Sequence, residues 1–545
     1  MREWAKNLTS GVILAEGCRY SDHLTTTTKM TEFMESELIV PRAGISYLDH
    51  QVDGIRWMME REAADAEHCR GGILGDDMGL GKTFQTIGLL KNSPLKGLAT
   101  LIVCPPALLA GWTEELQACG FVVRQLMGTA SWSPVPPGSA GKPIVWLTTY
   151  PRLTLYHAFL RGGPEKSGSL PWGRVVLDEG HVIRNGKDTS RWIHCMGVAA
   201  NATTRWILSA TPVQNSYSDW RNLCAWLRVS CDASGLPEVG PQIMLRRTMA
   251  ELRDTMAALP PTPRFHCEDL TIPAAGTTLR EGKLFRSLCD QLESVIDSRA
   301  VSALMKLELY MRIQQFLVHP QIYVAGMRKK FRGAYPRPDW TATATKWSAC
   351  LRELQIGVRQ EKSQIVFCNF RAEMDMVAEA ATAMGATVFC IRGGMGSEAV
   401  GEAVTGARNA AAAGTPVVVV VQIVSGGAGL NLQFCTRILF LSQHWNPAVV
   451  HQAVGRAVRI GQRDVVDIYM YRIVDAVLDN LDRRMVEVHL TKIAGAREIC
   501  ETLYEGFAPL SEMRFENYED ENEEEDLPSE DSSTEEDPTI VTVSA

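Results

Sequence analysis

No Cys-x-x-Cys pair occurs in the 545 residues, and none of the fourteen cysteines joins a histidine at zinc-ligand spacing. No RING or zinc finger is therefore expected, and the scattered cysteines read as buried, reduced thiols of a reducing compartment. Long apolar runs are missing too. The valine run Val417–Val421 is far too short to cross a bilayer, and Gly11–Ala15 is too brief for a signal-peptide core. Neither secretion nor a membrane partner is expected. Basic residues stop at Arg514, and the thirteen Asp and Glu beyond it account for the net charge of −8; the remainder carries +5. A mildly basic body suits a polyanion, and the tail 516–545 is expected to be disordered. The tail serves solubility, or it mimics nucleic acid at a basic cleft, or it binds histone-like proteins. Ser532, Ser533 and Thr534 each have an acid three residues on, a pattern open to phosphorylation.

An apolar share of 46% is ample for buried cores. Ala99–Cys104, Ile144–Thr148, Val175–Leu177 and 416–421 are short runs rich in β-branched residues, as expected of parallel strands covered on both faces. The most informative stretch is Asp77-Met78-Gly79-Leu80-Gly81-Lys82-Thr83, set between an apolar strand and a helical pattern. Glycines let backbone N–H groups converge on phosphates, and a helix N-terminus adds positive field. Lys82 can reach the β/γ oxygens of ATP, and Thr83 can hold Mg²⁺. Asp76 occupies the place where the strict phosphate-loop pattern has glycine. Further on, Arg174–Leu177 reads as a strand that delivers Asp178 and Glu179 at its end. Asp178 is a candidate Mg²⁺ ligand, and Glu179 a candidate base for the attacking water. A third strand ends in Ser209-Ala210-Thr211, small hydroxyl residues suited to sensing the γ-phosphate. Arg456 and Arg459, three apart, are expected on one helix face as arginine fingers from a second lobe.

Together these segments resemble the Swi/Snf family of DNA-dependent ATPases, within helicase superfamily two, from about residue 40 to 490. Leu48–Gly54 resembles the family's adenine-reading segment, with Gln51 as reader. Leu101–Ala107, containing Pro105 and Pro106 and followed by Trp112, is similar to the first strand-contacting motif, and Thr148-Thr149-Tyr150 to the next. Thr211–Asn215, Leu245–Thr248 and Leu259–Pro261 are family-like. So are Ile365–Phe367, Gly426–Leu432 with Gly427 and Gly429, Trp445-Asn446-Pro447, and the segment from His451 that holds Gln452. The spelling leans toward the post-replication-repair and transcription-termination branches. Ala107, Ser442 and Val458 depart from the family, as does the lack of arginine between Ser397 and Val404. These departures put DNA contacts and interlobe coupling in doubt rather than hydrolysis.

The resemblance implies two tandem RecA-like parallel-sheet lobes: an N-terminal extension 1–39, an ATP-binding lobe 40–262, a helical insertion 263–340, a C-terminal lobe 341–490, a linker 491–515 and the acidic tail. Asp475–Ile493 reads as an amphipathic helix able to pack back across the lobes. Arg328-Lys329-Lys330-Phe331-Arg332 touches DNA, serves as a nuclear address, or is simply an exposed helix end. The implied activity is ATP-driven translocation on double-stranded DNA in the nucleus, remodelling nucleosomes or displacing bound proteins. Targeting would then come from a partner protein, the tail or DNA structure itself. Alternatives left open are an RNA- or single-strand-dependent ATPase and a regulatory scaffold that keeps the fold.

Overall fold

The computed structural model describes residues 37–64, 70–95, 99–126, 143–153, 172–187, 189–214, 216–230, 236–272, 279–296, 301–426, 430–442 and 444–474. The chain divides into a short unit ending at Ile39 and a large one from Val40 onward. The expected helix at 475–493, the linker and the acidic tail lie outside the described residues, as does nearly all of the N-terminal extension.

The large unit holds two parallel sheets. The first comprises β1 (Gly71–Leu74), β2 (Ala99–Cys104), β3 (Val122–Gln125), β4 (Ile144–Thr149), β5 (Trp172–Asp178), β6 (Thr204–Leu208) and β7 (Met244–Leu245), in the order β3-β4-β2-β5-β6-β1-β7. The second comprises β8 (Arg264–Leu270), β9 (Gln364–Cys368), β10 (Thr387–Ile391), β11 (Val417–Gln422), β12 (Arg437–Phe440) and β13 (Asp467–Ile473), in the order β10-β11-β9-β12-β13-β8. Strands β1, β2, β5, β6, β9 and β12 are buried along their whole length. Helices on both faces require this, and it explains why these strands read as continuous rather than alternating apolar runs. All the sheet pairings are parallel, so the carboxyl ends of each lobe's strands open on one edge, where α/β folds bind ligands.

Residues 264–270, inside the stretch read as a helical insertion, form the edge strand β8, paired with β13 from Arg264↔Asp467 to Leu270↔Ile473. Helices Leu279–Ile296, Ala303–Val318 and Pro320–Lys330 follow and close on a core of Phe285, Phe316, Tyr323 and Ile473. Within the basic cluster at the end of the last helix, Arg328 pairs with Asp339 at 2.7 Å and Lys330 with Glu308 at 2.9 Å.

The lobes differ inside. In the first, the Arg174 guanidinium on β5 grips the Glu62 carboxylate on helix Asp49–Ala63 with two nitrogens, Nε at 2.6 Å from Oε1. Trp206 Nε1 on β6 donates to the same Oε1 at 2.9 Å, and Ser93 Oγ donates to Oε2 at 2.9 Å. Burial alone would raise the Glu62 pKa, but Arg174 and these donors pull it below the usual range. Such a pair survives burial only because nearly every lone pair and proton is used. It fixes helix Asp49–Ala63 on the sheet, and that helix carries Gln51. In the second lobe, Val417, Val418, Val419, Val420 and Val421 are wholly buried among apolar neighbours.

Candidate nucleotide site between the two lobes

After β1 the chain turns through Gly79 (φ 87°) and Gly81 (φ 85°), a left-handed region that L side chains avoid, directly into helix Lys82–Asn92. That helix packs so closely on Asp49–Ala63 that a Cβ on Gly88 would lie 2.3 Å from Ile55 Cδ1. The approach brings Gln51 and His50 onto the loop, where Gln51 Nε2 donates to the Leu80 carbonyl at 3.2 Å and His50 Nε2 lies 2.8 Å from the same oxygen. Lys82 Nζ lies in the loop's concavity and donates to the carbonyls of Asp76 at 2.6 Å and Asp77 at 3.2 Å. Burial lowers its pKa, against the attraction of Glu179, Asp76, Asp77 and Asp178.

The fully buried Asp76, anomalous in the sequence, has a structural reason. Its Oδ1 accepts from Arg247 Nε at 3.0 Å and Arg247 N at 3.1 Å, and its Oδ2 from Arg247 Nη2 at 2.6 Å and Gln85 Nε2 at 2.9 Å. Asp77 is held likewise: Arg246 Nη2 lies 3.0 Å from Oδ1 and Met249 N 3.1 Å from Oδ2. The segment after β7 therefore clamps the loop from behind. Sequence reading gave Arg246 and Arg247 no role, because nothing in local spacing connects them with acids 171 and 169 residues away.

β5 ends at Asp178, and Glu179 follows in the left-handed region at φ 52°, ψ 44°. For a residue with a Cβ this conformation costs on the order of 1 kcal/mol, and such strain gathers at functional sites. Gly180 completes the turn; a Cβ there would lie 2.7 Å from Ile207 Cγ2. Trp112 Nε1 donates to Asp178 Oδ2 at 2.7 Å, and Glu179 N donates to Oδ1 at 3.0 Å. Burial, then the Glu179 charge, pushes the Asp178 carboxyl well above its ordinary range. Burial would raise Glu179 too, but His181, Lys82 and Arg456 outweigh it and hold Glu179 low. The neighbouring carboxyls are thus driven apart, Glu179 toward the ionised form and Asp178 toward the neutral one. Asp178 and the Thr83 hydroxyl offer hard oxygen donors, the chemistry Mg²⁺ takes with phosphates and water completing its shell. Among the described residues no cluster of three or more His, Cys, Asp or Glu could hold a metal ion. The residues fit the ion.

From Glu179 a polar chain leads onward. Glu179 Oε2 lies 3.3 Å from His181 Nδ1, which lies 3.1 Å from Ser209 Oγ. Ser209 Oγ accepts from Thr211 N at 3.2 Å, and Thr211 Oγ1 accepts from Gln214 Nε2 at 3.1 Å. Gln214 Oε1 then accepts from Asn446 Nδ2 of the second lobe at 2.7 Å. Asn446 also caps helix Pro447–Val454, its Oδ1 accepting from Ala448 N at 3.0 Å. A second crossing is direct, with Gln452 Nε2 3.5 Å from Glu179 Oε2.

The expectation that Arg456 and Arg459 share a helix face is corrected. The helix stops at Val454, and 455–460 are turns. The Arg456 carbonyl, which a continuing helix would use internally, accepts instead from Leu432 N at 3.0 Å. The two arginines still reach the first lobe. A Cβ on Gly79 would lie 2.8 Å from Arg459 Cβ, and one on Gly455 would lie 3.1 Å from Met78 Cβ. Arg456 is buried, which pushes its pKa down to about 10 against the attraction of Glu179.

Other candidates lie apart from this cluster. Pro105 and Pro106 open a 3₁₀ turn ahead of helix Leu109–Ala118, at the surface end of β2. Thr148 and Thr149 are buried at the end of β4, and the Thr148 hydroxyl has no partner among the described residues. Trp445 packs edge-on against Tyr310, 5.4 Å between rings, and so faces the helical layer. Gly427 and Gly429 lie outside the described residues. Ser442, one of the departures, accepts from Asn369 Nδ2 at 2.7 Å.

Comparison with known proteins places both halves. Residues 50–234 match the SNF2-related domain and 345–461 the helicase conserved C-terminal domain. The chain is similar to a probable global transactivator of Orgyia pseudotsugata multicapsid polyhedrosis virus, 28% identical over 467 residues, 80% of this chain and 88% of that one. It is also similar to the DNA repair protein RAD5 of Candida albicans (32% over 192 residues, 29% of this chain and 17% of that one). With the Homo sapiens DNA excision repair protein ERCC-6 it shares 25% over 494 residues, 80% of this chain and 31% of the relative. It thus spans most of the viral relative but less than a third of the other two. Among solved structures, the Sulfolobus solfataricus SWI2/SNF2 ATPase core in complex with dsDNA is similar at 19% identity over 85% of this chain and 99% of that one, TM-score 0.34. The two domain matches follow one another on a single chain, each centred on one of the two sheets, and the chain belongs to the Swi/Snf family of helicase-like ATPases.

Proposed function

We propose that this chain hydrolyses ATP between its lobes, in response to double-stranded DNA, and uses the cycle to move along the duplex and displace bound proteins, nucleosomes included. The ATP-binding lobe is 40–262 and the C-terminal lobe 341–490, with 263–340 docked on the C-terminal lobe through β8 and its helices. The observation that carries the reading is the seating of the second lobe on the phosphate loop: Gly455 against Met78, Arg459 against Gly79, and Gln452 toward Glu179. A site completed by two lobes turns over only when they close, and a polyanion bound across both favours closure.

In this reading Gln51 reads the adenine, and the backbone from Asp77 to Thr83 cradles the phosphates, with Lys82 on the β/γ oxygens. Thr83 and Asp178 would hold Mg²⁺, which when bound would neutralise phosphate charge. Glu179, kept ionised by His181 and Lys82, orients the attacking water and takes its proton. Arg456 and Arg459 stabilise charge on the transferring phosphoryl group. Ser209, Thr211 and Gln452 pass the state of Glu179 to the second lobe. Pro105, Pro106, Thr148, Thr149, Gly427, Gly429 and Trp445 belong to segments that follow the strand. Tracking phosphates needs no base readout, so binding is insensitive to sequence and sensitive to salt. A targeting partner and a nuclear location belong to the same reading.

The test is the ATPase rate without nucleic acid and with duplex DNA, single-stranded DNA, RNA and nucleosomes. Duplex and nucleosomes should stimulate most. Stronger stimulation by RNA would transfer the chain to the RNA-dependent class, and indifference to every nucleic acid would favour a scaffold.

A further inference from the structure

Asp178 is held by two aromatic donors that come from two separate segments. Trp112 Nε1 donates to its carboxylate Oδ2 at 2.7 Å. Tyr150 Oη donates to its main-chain carbonyl at 2.7 Å. Trp112 is 2% exposed and Tyr150 5%, so neither bond competes with bulk water. Trp112 lies on helix Leu109–Ala118, which begins directly after Pro105–Leu108, and Tyr150 directly follows Thr148 and Thr149 at the end of β4. β2 lies between β4 and β5, with Val103 beside Thr148 and Leu177. The two segments proposed to follow the DNA strand therefore each send one hydrogen bond inward to the same residue.

We infer that Trp112 and Tyr150 are positioning residues that fix Asp178 for Mg²⁺ and make its orientation depend on the strand-following segments of the first lobe. The inference rests on the proposed function and adds a coupling route inside the first lobe, independent of the arginines. A carboxylate with one oxygen pinned presents the other along a fixed direction. Partners of this kind commonly account for about 10- to 100-fold in metal affinity. Two anchors, one on the side chain and one on the main chain, restrain both the carboxyl rotamer and the strained turn into Glu179. A strand bound at the surface turn Pro105–Leu108 bears on the helix that carries Trp112, and through that anchor on Asp178.

The test separates metal binding from turnover. Binding of a fluorescent non-hydrolysable ATP analogue is followed by anisotropy while Mg²⁺ is titrated, with and without a DNA duplex. Trp112→Phe should raise the Mg²⁺ concentration for half-maximal response by about tenfold, with Mg²⁺-free analogue binding unchanged. Tyr150→Phe should give a smaller rise, and in the wild type the duplex should lower the Mg²⁺ requirement. In the double variant the duplex should still bind and no longer change it. Should Trp112→Phe fail to fold, benzothienylalanine at 112 removes only the N–H and keeps the ring. A Mg²⁺ titration of that protein or of Trp112→Phe that superimposes on the wild type overturns the inference. So does a duplex effect that survives in the double variant. A wild type that binds no duplex defeats the proposed function instead, while the DNA-free titration still decides the role of Trp112.

Discussion

The two lobes share a parallel sheet and little else in their interiors. In the first, charge runs through the core: Glu62 with Arg174, Asp76 with Arg247, Asp77 with Arg246. In the second, the centre is the dry valine strand β11, and the arginines of functional interest stand on turns that face the other lobe. A lobe that must present a cationic loop and two adjacent carboxylates has to neutralise and aim each of them. A lobe that only offers arginines across a gap can keep an apolar core.

The widest separation between the lobes should appear in turnover. Lys82→Ala should abolish it, and Glu179→Gln should keep ATP binding while stopping hydrolysis. Arg459→Ala, in the other lobe, should leave ATP affinity nearly intact and slow turnover by about 10³–10⁵-fold, as loss of an arginine finger does. Wild-type rates for Arg459→Ala in the presence of DNA would mean that the first lobe works alone.

Stability sharpens the contrast next. Arg174→Met leaves Glu62 buried and unpaired and should cost about 3–5 kcal/mol, with much of the loss recovered by Glu62→Met in the same chain. Val419→Ala in β11 should cost only roughly 1–3 kcal/mol, a transfer and cavity effect with no charge left behind. Denaturant unfolding of the three proteins measures both, and equal losses at the two positions would erase the distinction.

The smallest effect concerns one of the buried charged residues of the second lobe, Glu373. This fully buried carboxylate accepts from Asn369 N at 2.8 Å and Phe370 N at 3.1 Å, and burial raises its pKa to about 7 despite those donors and Lys346. A carboxyl with a folded pKa above its unfolded value favours the fold most at low pH. That contribution is lost as pH rises from the unfolded pKa to about 7 and stays lost above it. Glu373→Gln should therefore gain on the order of 1 kcal/mol relative to wild type between pH 5 and 8. Parallel pH profiles for the two proteins would show that Glu373 does not titrate in this window.

What the sequence made legible follows from locality. The proposed phosphate loop, acidic strand end and hydroxyl-bearing strand end are each spelled within a few residues, so Lys82, Asp178, Glu179 and Ser209 could be proposed from the chain. Asp76 looked like a blemish because its partner is 171 residues away, and Trp112 is 66 residues from Asp178. No periodicity encodes such pairs. The arginine spacing misled for a related reason: period says which residues would share a helix face, while the helix ends at Val454 and the Arg456 carbonyl beyond it accepts from the distant Leu432.

The clamp behind the phosphate loop has a mechanical consequence. Leu245 O accepts from Gly75 N at 2.7 Å and Arg247 O from Asp77 N at 2.9 Å, and this same segment runs on through Thr248 to Arg264, where β8 enters the other sheet. The connection between the lobes is thus bolted to the nucleotide loop at its root. Like a crank keyed to its axle, it has almost no slack at the driven end. A displacement of the loop therefore bears first on Leu245–Arg247, the end of the connection that the loop itself holds.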